Sequence, residues 1–316
     1  MPRSPNPQDV PGSFEQISYA AHAREYASHV RDGELTEHAR SWLRTDTIGA
    51  EIATRLRSYL LPLLSAYPGT KWLTIGDGAL GSDAQFLVRH GAEALATDIS
   101  TDLLVEAKRM GHIRDYAWEN AEKLSCPDAS FDFVLCKEAY HHFPRPYLAL
   151  YESLRVARLG VALIEPLDPY VGSSVVAPLS RAVFRAIRRV MGTRTYKHTY
   201  EESGNYQYTL SLREMQKVAL GMNFPAVAYR KVNTVYRWGM EYAPTGWRAR
   251  HPLYLRLRAM LAAKEMLSAV GLIPYGLLVV VILKRLPTAA AIQHLRQAGF
   301  TVDLLPANPY LQSDRG

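Results

Sequence analysis

The sequence predicts an α/β fold: a seven-stranded, mostly parallel sheet with helices on both faces, a helical N-terminal extension and two helical insertions. Three observations carry that expectation. Short apolar strands alternate with amphipathic segments from residue 72 onward, the pattern of a sheet whose crossovers are helices. Several strands are apolar at every position, most clearly LLVVVIL at 277–283, as burial on both faces requires. A glycine-rich turn joins the first of these strands to the helix after it.

Residues 1–12 are Pro-rich and polar and read as a disordered tail. Residues 13–66 form a helical N-terminal cap, in which Ile48, Ile52, Leu56, Tyr59 and Leu60 recur at helical spacing. Pro62, Pro68 and Gly69 close it. The core then spans 67–286, with strands at 72–75, 94–97, 131–136, 161–164, 226–235 and 277–283. Helices are expected at 83–90, closed by Gly91, at 101–110, entered at Ser100 and stopped by Gly111, and at 147–157 and 212–220. Insertions fall at 169–210 and 240–274. The first holds a basic amphipathic helix at 183–190; the second is helical and Arg-rich between 247 and 271. A C-terminal extension, 287–316, adds a helix and a short strand.

The chain has 316 residues, 48% of them hydrophobic and 21% charged, with a net charge of +7. That is ordinary globular composition, and the mild basicity permits an anionic partner without demanding one. With Cys126 and Cys136 its two cysteines, neither a disulfide framework nor a zinc knuckle organises the fold, and no metal site is expected. The N-terminus lacks the apolar stretch of a signal peptide. The longest apolar run falls short of the ~20 residues that a membrane-spanning helix needs. A cytoplasmic protein is the expectation, with contact at the inner membrane face left open by the Arg-rich segments.

The chemistry concentrates at WLTIGDGALGSDAQFLVRHGAEALATDIS, residues 72–100. Gly76, Gly78 and Gly81 form G-x-G-x-x-G between strand and helix, letting the backbone pass close under a ligand while the helix offers free N–H groups. Asp98, followed by Ile99 at the tip of the second strand, is placed to accept hydrogen bonds from both hydroxyls of a ribose. These features alone leave a nicotinamide dinucleotide and S-adenosylmethionine equally open.

The downstream segment ENAEKLSCPDASFDFVLC, residues 119–136, resembles the class I, Rossmann-like S-adenosylmethionine-dependent methyltransferases. They carry an acidic or amide residue, Ala-Glu, a short loop and Asp-x-Ser-Phe-Asp before the fourth strand. The likeness runs from about Lys71 to Asp168 and includes Tyr140-His141-His142-Phe143. It implies S-adenosylmethionine as cofactor, with Asn120 toward the adenine amino group and Ala121 and Glu122 beside the adenine edge. Two departures stand out: Thr74 occupies the position of the family's usual acid, and the glycine spacing is wider, with Asp77 inside it. Asp77 either takes over the contact to the cationic methionine amino group or braces the turn.

Methyl transfer from a sulfonium needs alignment, exclusion of water and, for a proton-bearing acceptor, a base. His141 and His142, after the fourth strand, and Glu165 and Asp168, after the fifth, are the candidates. Tyr196, Tyr200, Tyr206 and Tyr208, with His198, Glu201 and Glu202, suit a sugar ring or a packed lid. The arginines at 181, 185, 188 and 189 and at 248, 250, 256 and 258 suit phosphate-bearing groups or a solvated face. The expected activity is O-methylation of a sugar or glycan precursor. An NAD(P)-dependent oxidoreductase and a non-catalytic cofactor-binding protein are the alternatives. No nucleic-acid-binding module or dense Lys-rich stripe is present, and no motif sets an oligomeric state.

Overall fold

The computed structural model describes residues 13–169, 171, 199–201, 203–245 and 252–311. The predicted helix at 183–190 with its arginines lies outside them, as do Tyr196, His198, Glu202, Trp247, Arg248 and Arg250.

The chain opens with α1 (Phe14–Ala27) and a tight hairpin of β1 (Val30–Arg31) and β2 (Glu34–Leu35). Three short helices follow: α2 (Glu37–Ser41), α3 (Ile48–Ser58) and α4 (Leu61–Ala66). Thr36 and Thr47 cap the first two by accepting the N–H groups of Ala39 and Ala50. The hairpin departs from the expectation of helix throughout 13–66. Its turn is Asp32-Gly33, both at positive φ (53° and 74°), as a two-residue turn matching strand twist requires.

The sheet contains β3 (Lys71–Ile75), β4 (Glu93–Asp98), β5 (Tyr116–Trp118), β6 (Phe131–Lys137) and β7 (Ala157–Pro166). It is completed by β8 (Ala226–Val232), β9 (Leu277–Leu283) and β10 (Thr301–Leu304). The order is β10-β8-β9-β7-β6-β3-β4-β5. From β5 to β7 every pairing is parallel; β9 runs antiparallel to both β7 and β8, and β10 antiparallel to β8. The strand count is thus eight rather than seven. The difference lies at the edges, where β5 is three residues long and too short to announce itself by pattern, and where β10 extends the sheet from the C-terminal extension.

Helices α5 (Ser82–Arg89), α6 (Asp102–Arg109), α7 (Pro146–Val156) and α8 (Leu212–Gly221) accompany the sheet, α8 opening on a Ser211–Glu214 capping box. Helix α9 (Pro252–Ala269) lies between β8 and β9 in sequence, and α10 (Ala289–Gln297) precedes β10. Strand β9 shows why its sequence is apolar throughout. Leu277, Val279, Val281 and Leu283 join one core layer, with Trp72 stacked on Phe133 at 4.7 Å. Leu278, Val280 and Ile282 join the layer on the other face. The C-terminal extension packs Leu295, Phe300 and Val302 into the same layer as Leu63 and Leu64 of α4. No described helix is long and apolar enough to cross a membrane.

Candidate functional site

A cavity of about 730 Å³ opens over the C-terminal ends of β3, β4 and β6, where ligands bind in open α/β sheets. Its size suits a small-molecule site. Gly76, Asp98, Ile99, Asn120, Ala121, Glu122 and His142 line it, together with Tyr19, His22, Glu25 and Tyr26 of α1.

The floor is built by backbone. Gly76 ends β3 at φ 68°, and a Cβ there would stand 2.4 Å from that of Ala139. At Gly78 a Cβ would lie 2.7 Å from Oδ2 of Asp98, so glycine is what lets the turn reach that carboxylate. The Gly78 N–H donates to Oδ2 at 2.9 Å, and the Ser100 N–H to Oδ1 at 2.8 Å. Each oxygen keeps a further lone pair for a ligand hydroxyl. Burial pushes the Asp98 carboxyl up to about 6, against the backbone N–H groups that favour its charge.

Asp77, by contrast, is directed beneath the turn. It accepts from the Thr74 hydroxyl (2.8 Å) and from the N–H groups of Asp83 (3.1 Å) and Ala84 (2.9 Å) at the start of α5. It does not line the cavity. Of the two alternatives the sequence left open, the geometry is that of the brace, with Thr74 as its partner. Gly81 supplies the left-handed residue before α5 and also lies outside the lining. Burial and the neighbouring Asp83 charge push the Asp77 carboxyl up. Beside it, Arg57 of α3 donates to Asp83 at 2.6 Å, and Lys137 stands 3.6 Å from Asp83 and 3.3 Å from Glu138. This cluster ties the N-terminal extension to the floor.

The segment after β5 is held by its own side chains. Asn120 Oδ1 accepts the Glu122 N–H at 2.9 Å. Glu122 accepts the Arg145 N–H (2.7 Å), Arg145 Nε (2.7 Å) and the Tyr19 hydroxyl (2.6 Å). Glu122 therefore fixes α1 over the cavity while also lining it.

The four base candidates separate. Glu165 is fully buried; it accepts the N–H groups of Ala139 (2.9 Å) and Tyr140 (3.0 Å) and pairs with His141 Nδ1 at 2.7 Å. Its oxygens shape the turn after β6, and His141 is buried against it; neither lines the cavity. Asp168 is outside the lining as well, its N–H bonded to Leu210 O at 2.7 Å. His142 does line it, with Nδ1 at 2.5 Å from Glu201. His22 Nε2 lies 3.8 Å from the other Glu201 oxygen. Burial opposes the charged form of His142, but the hydrogen bond and charge of Glu201 outweigh it and raise its pKa. Burial likewise opposes the charge on Glu201, and His142 outweighs it and holds the carboxyl low. His22 is driven down by burial and by its histidine neighbour. Glu201 thus favours one imidazolium, on His142.

Sequence reasoning missed the contribution of α1. Its inward positions Ser18, Tyr19, His22 and Tyr26 share one helical face. That face is aromatic and polar where a core-facing helix would carry Leu or Ile, and this was the available signal. The grouping of Glu201 with the tyrosines was visible, but its pairing with His142 was not. Tyr200, Tyr206 and Tyr208 pack edge to face on one another, at 5.6 and 5.1 Å, and none lines the cavity.

The floor fits a nucleoside carrying a ribose diol: a buried carboxylate with free lone pairs, a glycine turn and the Asn120–Ala121 edge. Residues 73–164 match the family model described as a methyltransferase domain. The chain is 26% identical over 198 residues to a demethylmenaquinone methyltransferase of Beutenbergia cavernae, covering 58% of this chain and 74% of that one. It is 28% identical over 145 residues to that of Renibacterium salmoninarum, covering 46% and 56%. Among solved structures, magnesium protoporphyrin IX methyltransferase (ChlM) from Synechocystis PCC 6803, with bound SAH, superposes at a TM-score of 0.46 with 14% identity, over 85% of this chain and 97% of that one. Phosphoethanolamine N-methyltransferase 2 of Haemonchus contortus, with S-adenosyl-L-methionine, superposes at 0.45 with 17% identity, over 72% and 52%.

Through this domain the chain resembles the class I S-adenosylmethionine-dependent methyltransferases. It is a methyltransferase acting on a small molecule, and S-adenosylmethionine is its cofactor; the nicotinamide and non-catalytic alternatives are set aside. The described residues contain no cluster of three or more His, Cys, Asp or Glu placed to hold a metal.

Proposed function

We propose that the protein methylates a small ring-bearing acceptor with an acidic hydroxyl, a phenol or quinol, and that His142 is the base. The observation that carries this is the His142–Glu201 pair facing the cavity. With Nδ1 engaged by the carboxylate, Nε2 is the ring nitrogen left for an acceptor proton. The cofactor brings an electrophilic methyl group on a sulfonium. Asp98 would grip its ribose, and Asn120, Ala121 and Ile99 would border its adenine. The cover from α1 would keep water from the reacting atoms. His142 would take the proton that the acceptor sheds as it gains the methyl group.

Two considerations favour the acidic ring over the expected sugar. A base near neutral pKa serves best when the proton it removes is not far above it, and a phenolic hydroxyl, near 10, is far closer than an alcohol. Tyr200, Tyr206 and Tyr208, the described members of the tyrosine group that motivated a sugar, pack on one another and do not line the cavity. Phe143, Pro144, Tyr19 and Tyr26 instead give it apolar faces for a flat ring. The activity in the names of the two similar proteins, on demethylmenaquinone, points the same way. The test is turnover with S-adenosylmethionine and a short-chain demethylmenaquinol beside a panel of simple phenols and sugars. A methylated quinol or phenol is the expected product. A methylated sugar, with the rings untouched, would overturn the assignment.

A further inference from the structure

We propose that the outward face of α9 docks on an anionic lipid surface. The inward face of this helix is well used: Tyr254 and Leu257 are buried with Ile48 and Val235. Glu265 accepts from Arg55 at 3.1 Å and from the Asn233 N–H at 3.2 Å. The opposite face is also apolar. Leu255, Ala259, Ala262, Met266, Ala269 and Val270 recur at helical spacing and are all exposed, with Met266 and Val270 at 63% and 65%. A helix apolar on both faces is ordinarily buried on both, and a continuous exposed apolar strip marks an interaction surface. No described residue covers this one.

Charge chooses the occupant. Arg256 and Arg258, both exposed, flank the strip on its two sides. Arg258 donates to the Tyr254 hydroxyl at 3.1 Å and stands 3.8 Å from Glu51 of α3, so Arg256 is the cation more open to a lipid phosphate. Glu265, the only acid between 252 and 270, is turned inward to Arg55 and Asn233. A second copy of the same face would bring these arginines against their like, which disfavours self-association. Lipid phosphates would pair with them while the apolar strip enters the acyl boundary, the arrangement of an interfacial helix. The loop after β8 packs Val235 and Met240 into the cluster under α9. It exposes Tyr236, Arg237 and Trp238 in succession, an aromatic and basic combination suited to the headgroup layer. None of this depends on the identity of the methyl acceptor.

The full chain is sedimented with vesicles of phosphatidylcholine and with vesicles that also contain phosphatidylglycerol. Binding to the second and not the first, weakened by salt, is the expected result. Met266→Glu should lower that partitioning about tenfold while leaving the thermal midpoint and the affinity for S-adenosylmethionine unchanged, and Arg256→Gln should lower it by less. Absence of binding to both vesicles would overturn the proposal. So would binding indifferent to Met266→Glu, or a lipid-free dimer in analytical ultracentrifugation that Met266→Glu abolishes.

Discussion

The floor and the cover of the cavity are made in different ways. The floor is a backbone construction: a left-handed glycine at the end of β3, a turn whose N–H meets Asp98, and a helix start braced by Asp77. Each part follows from local chemistry within about thirty consecutive residues. The cover is a side-chain construction that gathers Tyr19 and His22 from α1, Arg145 from the start of α7 and Glu201 from the first insertion. Its partners stand far apart in sequence and are joined by side-chain hydrogen bonds and ion pairs. The floor is thus set by local backbone chemistry, whereas the cover is set by long-range side-chain pairings.

Arg57 breaks the neat division, because it comes from the N-terminal extension yet lies, partly buried, beside the floor. Arg57→Ala would leave Asp83 buried next to Asp77 with Lys137 alone as counter-charge. The expected loss is about 3–5 kcal/mol of stability, read from the midpoint of denaturant unfolding. A shift within about 0.5 kcal/mol, typical of an inconsequential surface change, would show that the extension is not tied to the core through this residue.

The cover is probed by His142→Ala, expected to lower kcat by about 100-fold or more with little change in cofactor affinity. The pH dependence sharpens the point. As the proposed base His142 would act as neutral imidazole, and Glu201 raises its pKa, so kcat should climb with pH through a value above the ordinary histidine value of about 6.5. Glu201→Gln removes the carboxylate, leaving burial in control, and the limb should move to lower pH. A limb that stays in place would take Glu201 out of the mechanism. Smaller still is Tyr19→Phe, which deletes the hydrogen bond to Glu122 and the exposed one accepted from Arg145. It should weaken S-adenosylmethionine binding by a few-fold, in keeping with about 1 kcal/mol for such a bond; calorimetry reads it directly.

How much of this was legible in the sequence follows the same division. The glycine triplet, Asp98 and the alternation of strands and helices announced the sheet and the floor, because each is a short-range pattern. The Asp32-Gly33 turn was also written plainly, but helical spacing on either side of it masked a hairpin of two-residue strands. Strand β5 has three residues, too few for a period. Asp77 had two readings because a carboxylate beside glycines can face a ligand or cap a helix start, and its bonds to the Thr74 hydroxyl and the start of α5 are visible only in three dimensions. His141 and His142 are adjacent and look equivalent, yet one is enclosed with Glu165 and the other meets Glu201 at the cavity. Nothing in a linear pattern separates them, since their partners arrive from β7 and from the insertion.

The claim on which the account rests is that Asp98 grips the ribose of S-adenosylmethionine as a carboxylate. Titration calorimetry of the cofactor against the protein and against Asp98→Asn, each at pH 8 and pH 5, tests it. Because burial places the Asp98 carboxyl at about 6, the unaltered protein should bind tightly at the higher pH and about tenfold more weakly at the lower, where the carboxylate is protonated. The Asn variant should bind weakly at both. Equal affinity of the two proteins at pH 8 would contradict the account.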